Sequence, residues 1–332
     1  MKQGKFIVGL MAFGVISLFA GCGEKEDEMT KVTLNEVAHS IFYTPQYVAL
    51  ENGYFTQEGI DLELVTGYGA DQTMAAVISG DAQSGFMGAE ASVYAYLEGA
   101  NDPVVNFAQG TQRAGNFLVA REEMTDFQWS DLKGKEVLGG RKGGMPEMVF
   151  EYILKQNGLD PAKDLSIDQS IDFGSTAAAF SGGKGEFTVE FEPAATTLEK
   201  NGDGYVVASL GVDSGYVPYT SYSAKTSYIG KHPEIIQAFT DGLQKGVDYV
   251  NSHTAEEIAK VIQPQFKEND LDTITTIVER YQSQDTWKEN LVFEKESFEL
   301  LQDILESAGE LEERADYDDL VTTVYAKEAM KK

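Results

Sequence analysis

Cysteine occurs once in the 332 residues, at position 22, so no disulfide can form within the chain and its stability must come from packing. Histidine occurs three times, as His39, His232 and His253, far apart and without the spacing of an HExxH or Cys/His metal site. Basic residues are scarce: 26 Lys and Arg stand against 54 Asp and Glu, a net charge of -28, which argues against nucleic acid as a partner because phosphate binding needs clustered cations. That total speaks to solubility and not to the charge of a ligand in one pocket. Enzyme signatures are also missing. Gly182-Gly183-Lys184-Gly185 lacks the spacing and the Ser/Thr of a phosphate-cradling loop, and Ser214 in Gly211-Val212-Asp213-Ser214-Gly215 does not form a nucleophile elbow, so both read as turns. Beyond the amino terminus, no apolar run approaches the length of a membrane span.

At the amino terminus, Lys2 and Lys5 precede an uncharged stretch from Phe6 to Ala20, too short for a comfortable span and suited to a secretory leader. Ala20-Gly21-Cys22 resembles the bacterial lipobox, with Phe19 where leucine is usual. That resemblance implies cleavage before Cys22, lipid on its thiol, and attachment to the outer face of the cytoplasmic membrane, which is the periplasm in a Gram-negative cell. An ordinary signal peptide followed by a chance cysteine is the alternative. Residues 22–30 are acidic and without periodicity, as a solvated tether would be.

The chain beyond the leader exceeds the size at which one hydrophobic core keeps growing, so two lobes are expected. Hydrophobic content of 42%, with 18 Phe and 16 Tyr, supplies ordinary globular cores and aromatic pockets. From Lys31 the pattern alternates. Val32 and Leu34 begin a strand; Thr44-Pro45 opens a helix that Gly53 ends; Ile60, Leu62 and Leu64 alternate with acids as a second strand. A helix from Asp71 to Ser79 leads to a strand over 82–87. This β-α-β succession predicts a parallel sheet covered by helices. It restarts near Phe117 with strands at 136–138 and 167–171, a helix at 146–156, and a further strand leading to Glu190. After Tyr222 helices dominate, Pro233 opening a long amphipathic one, and the tail is expected to pack back on the first lobe. The expected division is lobe 1 over 31–117 plus 222–332 and lobe 2 over 118–221, with crossings near 115–120 and 217–223.

Three places could hold a ligand. His39-Ser40-Ile41-Phe42-Tyr43-Thr44-Pro45-Gln46 lies at the carboxyl end of the first strand, where open α/β sheets bind ligands; Phe42 and Tyr43 offer ring faces and Gln46 an amide, or else these side chains are core. Phe187-Thr188-Val189-Glu190-Phe191-Glu192-Pro193 is another strand end. Alternation puts Glu190 and Glu192 on one side and Phe191 on the other. The glycine-rich turn Gly139-Gly140-Arg141-Lys142-Gly143-Gly144 precedes a helix opened by Met145-Pro146, whose free N–H groups suit an anion; a tight turn without a ligand is the plainer reading.

At this point the chain resembles the substrate-binding proteins of bacterial ABC importers, in the group that handles nitrate, sulfonates, taurine and thiamine pyrimidine precursors. Three runs carry the resemblance: Tyr43-Thr44-Pro45-Gln46-Tyr47-Val48-Ala49-Leu50-Glu51-Asn52-Gly53-Tyr54-Phe55, then Asp131-Leu132-Lys133-Gly134-Lys135, and His232-Pro233-Glu234-Ile235-Ile236-Gln237-Ala238-Phe239. It implies a type II periplasmic-binding-protein-like fold: two α/β lobes, each a mainly parallel sheet flanked by helices, joined by two crossings that form a hinge. It also implies a ligand in the interlobe cleft, a membrane permease with its ATPase as partners, no catalysis, no cofactor, and a monomer. Glu190 falls where members resembling pyrimidine-precursor binders carry an acid that accepts from an exocyclic amine. The ligand-binding set is therefore Phe42, Tyr43, Gln46, Glu90, Gly144, Met145, Glu190, Phe191 and Tyr219, and the ligand a neutral or cationic heteroaromatic. Nitrate, taurine or an aliphatic sulfonate held by Arg141, Lys142 and the helix start is the alternative. A sensory lipoprotein or an adhesin shares these features. A pyridoxal-dependent pyrimidine synthase of the same fold needs a cysteine-rich motif that this chain lacks.

Overall fold

In the computed structural model the described residues are 29–140, 142–171 and 173–332; Cys22, the leader, most of the tether and Arg141 lie outside them. Strands β1 (Thr30–Glu36), β2 (Ile60–Thr66), β3 (Ser84–Met87) and β4 (Val104–Thr111) build one sheet. The chain then enters a second sheet as β5 (Asn116–Ala120), β6 (Glu136–Leu138), β7 (Ser166–Asp168), β8 (Phe187–Phe191) and β9 (Tyr205–Ser209), and returns to the first as β10 (Thr220–Lys225). The orders are β2-β1-β3-β10-β4 and β7-β6-β8-β5-β9. Helices flank both sheets, giving the two-lobed α/β architecture.

The sheets are mixed: four strands of each run in one sense, and a single strand runs against them. β1 runs parallel to β2 and β3, and β6 to β7 and β8, as the β-α-β spacing demands. β10 is antiparallel to β3 and β4, and β5 to β8 and β9. These two reversed strands come after the segments where the chain changes sheet, 112–115 and 210–219, a few residues earlier than the pattern places the crossings. Each enters its sheet from the other lobe and runs against the strands on either side of it.

Local chemistry sets the elements that hold the site. β2 buries Ile60 and leaves Asp61 and Glu63 outside, the period of a half-covered strand. The helix Thr44–Glu51 has Pro45 in its first turn and yields at Gly53, whose φ of 67° suits a residue without a Cβ. Across it lies Pro233–Ser252, burying Ile236, Phe239, Leu243, Val247 and Val250 at helical spacing. Their approach depends on Gly246, where a Cβ would stand 2.2 Å from the Pro45 carbonyl oxygen. The tail does return to the first sheet: Asn106 in β4 donates to the Leu320 carbonyl at 3.0 Å, and Val321 bridges to Asn106. One apolar cluster runs through both lobes, from Leu34 and Phe107 to Leu118, Phe150 and Val189. Among the described residues, no helix is long and apolar enough to cross a membrane.

Candidate functional site

The segment that leaves β1 is fixed before it reaches the second lobe. The Ser40 hydroxyl accepts from the Phe42 amide at 3.2 Å, starting a 3-10 turn over Ile41–Tyr43, and donates to the Glu192 carbonyl across the junction at 3.3 Å. The Phe42 carbonyl accepts from the Trp287 indole at 2.9 Å. This turn presents Phe42 and Tyr43 to the other lobe.

Four of the expected residues are brought together there. Phe42 lies 5.8 Å from Phe191 and 5.7 Å from Tyr219, ring centre to centre, with Tyr43 at 5.4 Å and Phe191 to Tyr219 at 6.1 Å. Such tilted and edge-on pairs satisfy the ring quadrupoles. Phe42, Tyr43 and Tyr219 are buried and Phe191 half-buried. Sequence reasoning missed two contributors. Asn116, fully buried at the start of β5, accepts from the Tyr219 hydroxyl at 2.7 Å through Oδ1 and stands opposite Phe191 in the β5–β8 pair. Tyr281, 5.3 Å from Phe42, donates to the Gly115 carbonyl at 3.0 Å. The only available signal for Asn116 was its place near a predicted crossing.

Two acids of the expected set are buried in different settings. Glu90, buried in the first turn of the helix Glu90–Leu97, acts on the phenols of both Tyr43 and Tyr219; burial chiefly raises them above the ordinary tyrosine range, with Glu36 ahead of Glu90 for Tyr43 and Tyr43 ahead of Glu90 for Tyr219. Glu190 pairs in register with Phe117, while Phe191 pairs with Asn116, so Glu190 and Phe191 take opposite faces of the sheet. Glu190 accepts from the Thr188 hydroxyl at 2.6 Å and meets Thr176. Burial pushes its carboxyl up to about 7. Glu192 lies beyond β8 and accepts from Arg280 at 2.5 Å and Thr196 at 3.0 Å.

Gln46 is not brought to the rings. Its amide donates to Glu36 at 2.8 Å and accepts from the Tyr222 hydroxyl at 3.1 Å, both inside the first lobe. Gly144 and Met145 open the helix Met145–Gln156 in the second lobe, Met145 buried. The same first turn carries Glu147, which accepts from the Gly143 amide at 3.0 Å and whose carboxyl burial and Glu151 push up to about 7. An acid thus occupies the helix start that the anion alternative requires. Lys142 is largely exposed, 3.9 Å from Glu310.

Beneath the aromatic turn lies a second polar group. Glu36 is fully buried and accepts from Gln46, from the Tyr47 hydroxyl at 2.8 Å, from His39 at 2.9 Å and from Thr66 at 3.3 Å. Four polar groups thus converge on the two oxygens of one buried carboxyl.

Residues 41–257 match the family described as NMT1/THI5 like. The "Putative binding protein YtlA" of Bacillus subtilis is 43% identical over 323 residues, 96% of each chain. In structure the chain is similar to a ligand-binding component of an ABC-type import system from Staphylococcus aureus (TM-score 0.74, 17% identity, 91% of this chain and 99% of that one). It is also similar to the alkanesulfonate-binding protein SsuA of Xanthomonas axonopodis pv. citri, solved with MOPS (TM-score 0.72, 15% identity, 90% and 99%).

Proposed function

The chain belongs to the NMT1/THI5-like family, and we propose that it is the extracytoplasmic solute-binding lipoprotein of an ABC importer, capturing a heteroaromatic such as a thiamine pyrimidine precursor. Anchored through Cys22, it would work as a monomer. Lobes 31–117 plus 222–332 and 118–221 close on the ligand, and the closed form is what the permease distinguishes. A ligand touching both lobes binds the closed form better and shifts the population toward it, so no bond need be made or broken.

The observation that carries this reading is the ring group at the lobe junction, Phe42 and Tyr43 from one side and Phe191 from the other, with Tyr219 on the returning crossing and the buried Glu90 beside it. Rings grip a flat ligand by stacking, and an acid suits an amine or a protonated ring nitrogen. The acid beside the rings disfavours an anion: Glu90 is buried, and a small anion facing an ionised carboxylate there would cost several kcal/mol, on the order of a buried unpaired charge.

A thermal-shift screen of the chain after Cys22 tests it. Aminopyrimidines and other heteroaromatics are compared with nitrate, taurine and alkanesulfonates. An aminopyrimidine at a hundred times its dissociation constant should add about 2.7 kcal/mol to the folded state and raise the melting temperature. A rise with sulfonates or nitrate alone would overturn the ligand class and move the site to the turn before Met145.

A further inference from the structure

The oxygens around His39 suit its charged form. Its Nδ1 lies 2.9 Å from Glu36 Oε1, and its Nε2 lies 3.0 Å from the Gln265 carbonyl oxygen. A backbone carbonyl can only accept, and Glu36, with the Gln46 amide and the Tyr47 hydroxyl already donating to its other oxygen, accepts too. A neutral imidazole carries one N–H and would set a lone pair against one of these oxygens. The ring that satisfies both is the imidazolium.

The groups that face this ring favour the charge. Glu36 acts from β1, Tyr47 from the helix Thr44–Glu51, and Glu268 from the segment after Phe266. Phe266 stacks on the ring, with centroids 4.8 Å apart. Burial and Glu36 keep the Tyr47 phenol protonated and donating. The hydrogen bond to Glu36 raises the His39 titration above 6.5, more than its partial burial lowers it.

What this charge holds in place is the wall of the cleft. Tyr47, anchored on Glu36, accepts from the Ser40 amide at 3.2 Å, and Ser40 both caps the turn bearing Phe42 and Tyr43 and reaches the Glu192 carbonyl in the second lobe. We propose that His39 is a positioning residue that couples a proton to ligand capture: doubly protonated, it ties the buried Glu36 to the Gln265 carbonyl and so holds the Ser40–Tyr43 turn against the second lobe. Loss of the Nε2 proton leaves a lone pair facing the carbonyl, and the turn loosens. Because the folded-state titration lies above the unfolded one, the stabilisation is full below about 6.5 and is lost as pH rises through the folded value. This rests on the reading of that turn as a cleft wall.

The test reads the turn with and without ligand. In the chain from residue 23 onward, Trp129→Phe leaves Trp287, which donates to the Phe42 carbonyl, as the sole tryptophan. Its fluorescence should titrate with a midpoint above 6.5 that coincides with the His39 ring protons in NMR spectra, and should be flat in His39→Gln. Affinity for the hydroxymethyl aminopyrimidine half of thiamine should fall through the same midpoint, by at most about tenfold per pH unit for one linked proton. A His39 midpoint at or below the ordinary value, a Trp287 signal that ignores it, or an affinity unchanged across it overturns the proposal. If His39→Gln does not fold, the ring midpoint in the unaltered chain still decides. A protein that binds no pyrimidine probe overturns the ligand reading instead, and the two ligand-free titrations then decide the proton coupling.

Discussion

At residue 115 the aromatic group leaves no room for a methyl. A Cβ on Gly115 would stand 2.7 Å from the Phe42 ring and 2.8 Å from that of Phe191, so Gly115→Ala must push the two lobes' rings apart. Overpacking of this kind costs about 1–3 kcal/mol, and urea denaturation should find it, with any ligand affinity lost alongside. Glu190 makes a prediction of the opposite sign. Its carboxyl is raised from 4.5 to about 7 by burial, so the folded state holds the proton longer than the unfolded state does. Folding is then unpenalised below about 4.5 and carries the full cost above about 7, a difference on the order of 3 kcal/mol. Glu190→Gln should therefore be more stable than the unaltered chain at pH 8, with that advantage gone at pH 4. Melting curves at both values check it, and an equal gap at the two would refute the buried charge. Phe42, Tyr43, Phe191 and Tyr219 were legible in the sequence from their places at strand ends or crossings; Tyr281, on the helix Leu271–Ser283, was not. The Glu36 group was not, since its donors Thr66, Gln46, Tyr47 and His39 are polar residues on three different elements that only the folded sheet gathers.

Helix ends were the most legible elements, because their chemistry is local: the starts read at Pro45 and Pro233 fall in the first turns of Thr44–Glu51 and Pro233–Ser252. One cap was not read from the residues. Thr254 and Glu257 form a capping box at the start of Ala255–Ile262: the Glu257 carboxylate accepts from the Thr254 amide at 3.0 Å, and the Thr254 hydroxyl from the Glu257 amide at 3.3 Å. Thr254→Ala removes one partner of that exchange and should lower the unfolding free energy by about 1 kcal/mol, read as a shift of the urea midpoint with the slope unchanged. Strand direction was less legible. Nothing in the residues of β5 or β10 marks them as antiparallel; their sense is set by which lobe the chain arrives from, and that is a property of the whole path. The strand expected over 167–171 ends at Asp168, whose carboxylate turns back to accept from the Ser170 amide at 2.8 Å.

At the scale of the molecule, the helical tail does more than cover the first lobe. Arg280, on the helix Leu271–Ser283, reaches Glu192 at 2.5 Å and Glu199 at 2.7 Å in the second lobe and lies 5.3 Å over the Phe117 ring of β5, while its neighbour Tyr281 holds the Gly115 carbonyl. Burial keeps the Glu192 carboxyl above its ordinary range in spite of this partner, so the pair contributes little net energy beyond keeping a buried charge matched. Removing one member is another matter. Arg280→Met leaves Glu192 buried beside Thr196 alone and should cost about 3–5 kcal/mol; Arg280→Met with Glu192→Gln should recover most of that, since the uncompensated charge is gone. The double-mutant cycle separates two roles. If the double variant regains stability but its radius of gyration in solution scattering grows, the arginine was setting the angle between the lobes. If stability and radius both return, it was only neutralising an acid, and the hinge rests on the crossings at 112–115 and 210–219 and on the Ser40 bridge to the Glu192 carbonyl.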